Sequence, residues 1–284
     1  MRVFLLCLLF VLPPSGATAA VVQLTMRPGI PASAEYLAGD RAKPAVLLLH
    51  GFQQTRDFAT VATLARGLND AGFTVLAPTL SLGIPGRNQS PACEAVHRYG
   101  IDDDVAEIAR WIAWLKARGH GSIVLFGHSF GSLQALAYLA GKPDTAVRGY
   151  LGISLIDARI GDADRAALVS RLQHNIAMHK RDLVAHPLSF CRKYLATPAS
   201  LLSYVRWDQA RVLAVLKRPP VPVRLIMGDL DEMAGQDWLR LLQHVQVPTT
   251  VISGANHFMD GEHEFDLLDS TLRHLDALRP SPSR

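Results

Sequence analysis

Residues 122–140 read SIVLFGHSFGSLQALAYLA. The opening Ile123-Val124-Leu125-Phe126 is an uninterrupted apolar run, the pattern of a strand buried on both faces. From Ser132 onward the leucines, alanines and glutamine are good helix formers. Only Gly127-His128-Ser129-Phe130-Gly131 separates the two, so the spacing predicts a strand that turns directly into a helix with Ser129 on the bend. Glycines two residues either side let strand and helix approach without Cβ clashes, and the serine hydroxyl projects from the turn. The helix that follows aims its free N–H groups and the positive end of its dipole at the same place.

Outward from this turn, similar apolar runs recur at AVLLLH (45–50), FTVLAP (73–78), VRGYLGISL (147–155), VRLIMG (223–228) and TTVISG (249–254). Between them, residues 57–71, 101–118, 129–140, 236–245 and 262–278 carry apolar side chains at spacings of three and four. Alternation of this kind predicts an α/β domain, residues 21–278, with a mostly parallel central sheet flanked by helices. Residues 21–37 are expected to add one or two antiparallel strands at the sheet edge. Two segments break the alternation. Residues 79–100 form a long connection rich in Gly, Pro and Ser, a kind of loop that usually carries function. Residues 157–218 hold a mostly helical pattern where a single crossover helix would suffice, and a helical cap inserted late in the sheet accounts for it.

A serine hydroxyl is nearly inert at neutral pH without a base, and a tetrahedral oxyanion needs donors. Three further stretches end predicted strands at the edge where parallel α/β sheets assemble their sites. His50-Gly51-Phe52 follows the first, and Gly51 permits a turn that points the Phe52 N–H inward beside the Phe130 N–H as a two-donor oxyanion hole. Gly228-Asp229-Leu230-Asp231 and Gly254-Ala255-Asn256-His257 follow the last two. An acid and an imidazole thus join Ser129 in the order Ser129, Asp231, His257, with Asp229 as the alternative acid.

His50-Gly51, the elbow from Gly127 to Gly131, the G-x-x-D at Gly228 and the G-x-x-H at Gly254 together resemble the α/β-hydrolase superfamily, serine esterase or lipase-like, over roughly residues 45–275. The resemblance implies Ser129 as nucleophile, His257 as general base and then acid, and Asp231 as the group that orients the imidazole. His50, Gly51, Gly127 and Gly131 support them. It also implies a cap where residues 157–218 fall. The activity expected is hydrolysis of a small-molecule or lipid-like carboxylic ester through an acyl-serine, with no metal and no organic cofactor. An acyltransferase or thioesterase on the same triad, or a hydrolase-fold protein that only binds its ligand, are the alternatives.

The chain has 284 residues, 49% of them hydrophobic, and a formal net charge of +4. Lysines and arginines are scattered, with no run beyond pairs, which speaks against a nucleic-acid partner. His97 upstream of Asp102-Asp103-Asp104 suggests a metal site at first sight, but acids at a helix start cap its N–H groups and complement its dipole. His128 is expected to matter through its backbone, with its ring pointing away from the reacting centre. At the N-terminus, Arg2, the apolar run 3–12 and the small triplet Ala17-Thr18-Ala19 have the order of a secretory signal peptide, residues 1–20. A helix of that run reaches only about 15 Å, half a bilayer, so no stable membrane span is expected. Export to the periplasm or beyond leaves Cys93 and Cys191 as a pair in an oxidising compartment, and a disulfide between them is expected. It would close a loop of about 100 residues and contribute up to about 4.7 kcal/mol in the chain-entropy model. Residues 279–284 are expected to be a disordered tail. The oligomeric state is not legible.

Overall fold

Apolar runs without polar alternation bury both faces of a strand, and here the two faces feed two separate cores. In the computed structural model, which describes residues 19–158 and 162–278, Ala45, Leu47 and Leu49 point into one core and Val46 and Leu48 into the other. Ile123 and Leu125 divide from Val124 and Phe126 in the same way. These runs form strands β3 (Ala45–Leu49) and β6 (Ile123–His128). They pair in parallel, with Leu47 opposite Leu125 and Leu49 opposite Gly127.

Around them lie β1 (Ala19–Arg27), β2 (Ile30–Leu37), β4 (Val75–Thr79), β7 (Val147–Ile153), β10 (Val223–Gly228) and β11 (Thr249–Ile252). The sheet has eight strands in the order β1-β2-β4-β3-β6-β7-β10-β11. Every pairing from β4 to β11 is parallel, and the expected antiparallel strands are the β1–β2 hairpin that joins at β4. Helices α1 (Ala59–Asp70) and α8 (Glu264–Ala277) cover one face, through Val61, Leu64, Leu267 and Leu275. Helices α2 (Ile101–Ala117), α3 (Phe130–Leu139) and α7 (Gln236–His244) cover the other, through Trp111, Leu133, Leu136 and Trp238. The parallel register brings the C-terminal ends of β3, β6, β7, β10 and β11 to one edge, which carries the stretches singled out above.

The insertion between β7 and β10 contains helices α4 (Asp162–Ala177), α5 (Pro198–Val205) and α6 (Gln209–Lys217). It also contains a β-hairpin that its helical pattern did not foretell. Strands β8 (Val184–Leu188) and β9 (Cys191–Ala196) pair antiparallel. The short strand β5 (Val96–His97), contributed by the long 79–100 loop, pairs with β9 in parallel. The helical pattern expected across 157–218 breaks after Ala177, where His179 takes a φ of 51°. Pro187 then suits the edge strand β8, where no ladder N–H is required of it.

The Cys93–Cys191 disulfide ties this hairpin to the 79–100 loop across 98 residues of sequence, with Cα atoms 5.5 Å apart. The insertion is further seated by hydrogen bonds from Tyr204 Oη to Asp104 Oδ2 (3.0 Å) and from the Ile101 N–H to Ser203 Oγ (3.0 Å). Within the insertion itself, Arg165 pairs with Asp157 in a buried ion pair. Of the expected signal peptide only Ala19 and Ala20, which open β1, fall among the described residues, and the expected tail lies outside them. No helix among the described residues is long and apolar enough to cross a membrane.

Candidate active site

Ser129 is the turn between β6 and α3, with φ 57° and ψ −122°. A non-glycine residue rarely holds this conformation, and here close packing imposes it. A Cβ on Gly131 would overlap the His50 carbonyl oxygen, and one on Gly127 would overlap the Gly131 carbonyl. Both glycines are therefore required by approach distance, as the G-x-S-x-G reading expects. Ser132 braces the bend, its hydroxyl donating to the Gly127 carbonyl at 2.5 Å with the Ile153 carbonyl 2.9 Å away.

Ser129 Oγ lies 2.7 Å from Nε2 of His257, and Nδ1 of His257 lies 2.8 Å from Oδ2 of Asp231. All three residues are buried. With Nδ1–H donating to the carboxylate, Nε2 is left to accept the serine proton, the arrangement that makes a hydroxyl nucleophilic. The other oxygen of Asp231 accepts the Ala234 N–H at 2.8 Å. Asp229 points elsewhere, accepting from Ser253 Oγ at 3.1 Å and from the Gly254 N–H at 2.6 Å. The carboxylate of Asp231, and not that of Asp229, thus faces the imidazole.

At the end of β3, the His50 ring turns the next peptide. Its Nδ1–H donates to the Gly51 carbonyl at 2.8 Å, while its Nε2 accepts the Leu80 N–H at 3.0 Å and an Arg87 N–H at 3.2 Å. Burial, reinforced by the Arg87 charge, lowers the His50 pKa to about 3, so the ring stays neutral and keeps this tautomer. In a trans peptide the N–H points opposite to the carbonyl, so holding the Gly51 carbonyl aims the Phe52 N–H. Neither the Phe52 N–H nor the Phe130 N–H has a hydrogen-bond partner among the described residues. Their rings meet edge to face at 4.8 Å, and Phe190 of the insertion, half exposed, packs on Phe52 at 5.3 Å.

Arg87 had no signal in the sequence, being one arginine in a loop of mixed composition. It is buried and also donates to the carbonyls of Leu80, Gln53, Gln54 and Gln89, binding the 79–100 loop to the turn after β3. Gln53 in turn sits against the disulfide, its Oε1 3.6 Å from Cys191 Sγ.

The triple aspartate divides its work. Asp103 accepts the Gly100 N–H at 2.9 Å and pairs with Arg27 at 2.7 Å, a capping role. Asp104 is instead buried, and accepts from Gln134 Nε2 at 2.7 Å and from Tyr204. Burial raises its pKa to about 8, against the pull of those two hydrogen bonds. His97 is buried and stacks on Tyr194 at 4.1 Å, and desolvation lowers its pKa, so it serves in packing. Among the described residues no group of three His, Cys, Asp or Glu side chains could hold a metal ion.

The ring of His128, expected to matter less than its backbone, makes a contact of its own. Its ring is buried and donates from Nε2 to the His257 carbonyl at 3.0 Å. Ser154 Oγ, just past β7, donates to the same carbonyl at 2.8 Å. Neither residue type at its position marks this contact in the sequence, because the partner lies more than a hundred residues away.

No curated protein matches the chain. Among solved structures, the alpha/beta hydrolase GrgF from Penicillium sp. sh18 superposes with a TM-score of 0.67 and 16% identity, over 92% of this chain and 98% of that one. A thermophilic esterase from Thermogutta terrifontis, malate bound, gives 0.62 and 18%, over 93% and 100%. The thioesterase domain from the curacin biosynthetic pathway gives 0.59 and 17%, over 92% and 99%. Identities this low mark a likeness of fold. The sequence itself matches the alpha/beta hydrolase family over residues 46–268, and the chain belongs to that family.

Proposed function

We propose that the protein is an exported serine hydrolase that cleaves a carboxylic ester through an acyl-serine intermediate. The observation that carries this reading is the buried chain of hydrogen bonds from Ser129 Oγ through His257 to Asp231 at the elbow. In the first half-reaction the Ser129 proton passes to His257 Nε2 as Oγ attacks the ester carbonyl carbon. The developing oxyanion takes the Phe52 and Phe130 N–H groups, each worth about 3–4 kcal/mol of barrier at such a position. Asp231 stabilises the imidazolium that forms. As the tetrahedral intermediate collapses, the C–O bond to the alcohol breaks and His257 returns the proton to the leaving oxygen. Water then adds to the acyl-serine with His257 again as base, releasing the acid and restoring the Ser129 hydroxyl.

The helices and hairpin of residues 157–218 are a cap over the strand ends, and Phe190 gives it an apolar wall beside Phe52. This favours an ester with an apolar acyl or alkyl group. Export is supported by the signal pattern of residues 1–20 and by the disulfide, a bond that persists in oxidising compartments.

The test is labelling with a fluorophosphonate followed by peptide mass spectrometry, together with turnover of a p-nitrophenyl ester series of graded acyl length. The expected result is a single adduct on Ser129 and ester turnover that Ser129→Ala abolishes. A folded protein that is neither labelled at Ser129 nor active on any ester would point to a hydrolase-fold binding protein. Acyl transfer to added alcohol or thiol at the expense of hydrolysis would assign a transferase on the same residues.

A further inference from the structure

The position of an imidazole depends on the main chain that carries it, and at His257 that main chain is held from two sides. The His257 carbonyl accepts a hydrogen bond from His128 Nε2 at 3.0 Å and from Ser154 Oγ at 2.8 Å. Both donors are buried completely. His128 stands immediately before Ser129 in the elbow, and Ser154 follows β7 with a φ of 47°. The donors therefore reach the carbonyl from the ends of two adjacent strands of the sheet.

The tautomer of His128 follows from its partner. A carbonyl only accepts, so Nε2 carries the proton and Nδ1 is bare; Nδ1 is buried and has no partner among the described residues. Phe58 stacks on the ring at 5.9 Å with 16° between planes, and Phe258 packs at 6.2 Å. Burial, and then the neighbouring His257 imidazole, lowers the His128 pKa to about 4. The donor consequently stays in place through the neutral range.

The remainder of the loop is pinned in the same manner. Asn256 Oδ1 accepts the Phe258 and Met259 N–H groups at 2.8 and 2.9 Å, and Thr60 Oγ1 donates to the Phe258 carbonyl at 2.8 Å. Among the described residues only His128 and Ser154, however, hold the carbonyl of the residue that bears the imidazole. We propose that His128 and Ser154 are positioning residues that clamp the His257 main chain, so that the elbow carrying the nucleophile also aims the base. The inference rests on the proposed roles of Ser129, His257 and Asp231.

The clamp has two donors on one acceptor, and this sets the expected pattern. Losing either leaves the other, so His128→Leu and Ser154→Ala should each lower kcat by about tenfold. With both gone, the imidazole is free to shift by the order of 1 Å, and kcat should fall by about a thousandfold, more than the product of the single effects. Because neither side chain touches substrate, KM should stay within about twofold throughout. His128→Gln keeps an N–H at nearly the reach of Nε2 and should restore kcat to within about threefold of wild type.

The experiment is steady-state hydrolysis of the best p-nitrophenyl ester by wild type, the three single variants and the double variant, with thermal melts and fluorophosphonate labelling alongside. A fall in kcat at constant KM, a double variant worse than the product and rescue by glutamine support the clamp. Wild type labelled at Ser129 with kcat unmoved in both His128→Leu and Ser154→Ala would overturn it, as would glutamine no better than leucine. Ser154→Ala removes only a hydroxyl and keeps the test open if His128→Leu fails to fold. A wild type unlabelled at Ser129 would instead sink the proposed function, which separates the two failures.

Discussion

Replacing Asp231 by asparagine tests the proposed chemistry at the point where two aspartates compete. Asp231 accepts on both oxygens, from His257 Nδ1–H at 2.8 Å and from the Ala234 N–H at 2.8 Å. An asparagine there has one acceptor and one donor. If its oxygen keeps the Ala234 N–H, its amide donates to His257 Nδ1 and forces the imidazole proton onto Nε2, where it can no longer accept from Ser129. If the amide flips, its N–H faces the Ala234 N–H and leaves a buried donor unpaired, at about 1–3 kcal/mol. The productive tautomer is therefore a minority species, and the charge opposite the imidazolium is lost as well. Together these should lower kcat by about 10⁴, or about 5.4 kcal/mol of barrier.

Asp229→Asn serves as the internal control, since Asp229 lies partly exposed on the Ser253-Gly254 turn and does not face His257. It should cost no more than about threefold, within the range of a surface change. The assay is p-nitrophenyl ester turnover at fixed pH, with a thermal melt for each variant. A greater loss at Asp229, or a loss under tenfold at Asp231 in a folded protein, would refute the assignment.

Gly131→Ala places a Cβ on the His50 carbonyl oxygen. A cost near 3 kcal/mol is expected, a melting temperature roughly 6–12 °C lower for a chain of this size, with ester turnover falling as the elbow opens. Serine at both Cys93 and Cys191 removes a bridge that closes 98 residues; urea unfolding should show a loss of about 2–4 kcal/mol, and a loss below about 0.5 kcal/mol would mean that the bridge does not constrain the unfolded chain. Asp104 has its pKa raised to about 8 by burial, so the folded protein binds a proton that the unfolded chain releases near pH 4. Its contribution to stability is thus present in full below about pH 4 and is lost as pH rises towards 8. Asp104→Asn keeps an oxygen for Gln134 and Tyr204 without titrating, and should show a smaller fall in urea midpoint between pH 5 and pH 8 than wild type; an equal fall would place the titrating group elsewhere.

What the sequence determined by itself about this protein was local or periodic. Uninterrupted runs such as Ile123-Val124-Leu125-Phe126 declare burial on both faces, because alternate side chains must each find a core. Gly127 and Gly131 declare the sharp turn at Ser129, because no larger side chain fits where β6, α3 and the end of β3 meet. His257 was legible for a similar reason, as a glycine-led stretch at a strand end. The hairpin β8–β9 was not, because its two-residue turn is Ser189-Phe190, with no glycine, asparagine or aspartate to mark it even though Ser189 takes a φ of 52°.

Only the tertiary structure decided which aspartate faces the imidazole. Asp229 and Asp231 follow the same strand two residues apart, and the choice turns on Ser253 and Gly254 having taken the first carboxylate. It likewise gave the His128 ring its partner, 129 residues away. Hydrophobic period records how deeply a side chain is buried, averaged over its neighbours. The partner of a buried hydrogen-bonding atom is set by strand order and register, which join positions that no local pattern connects.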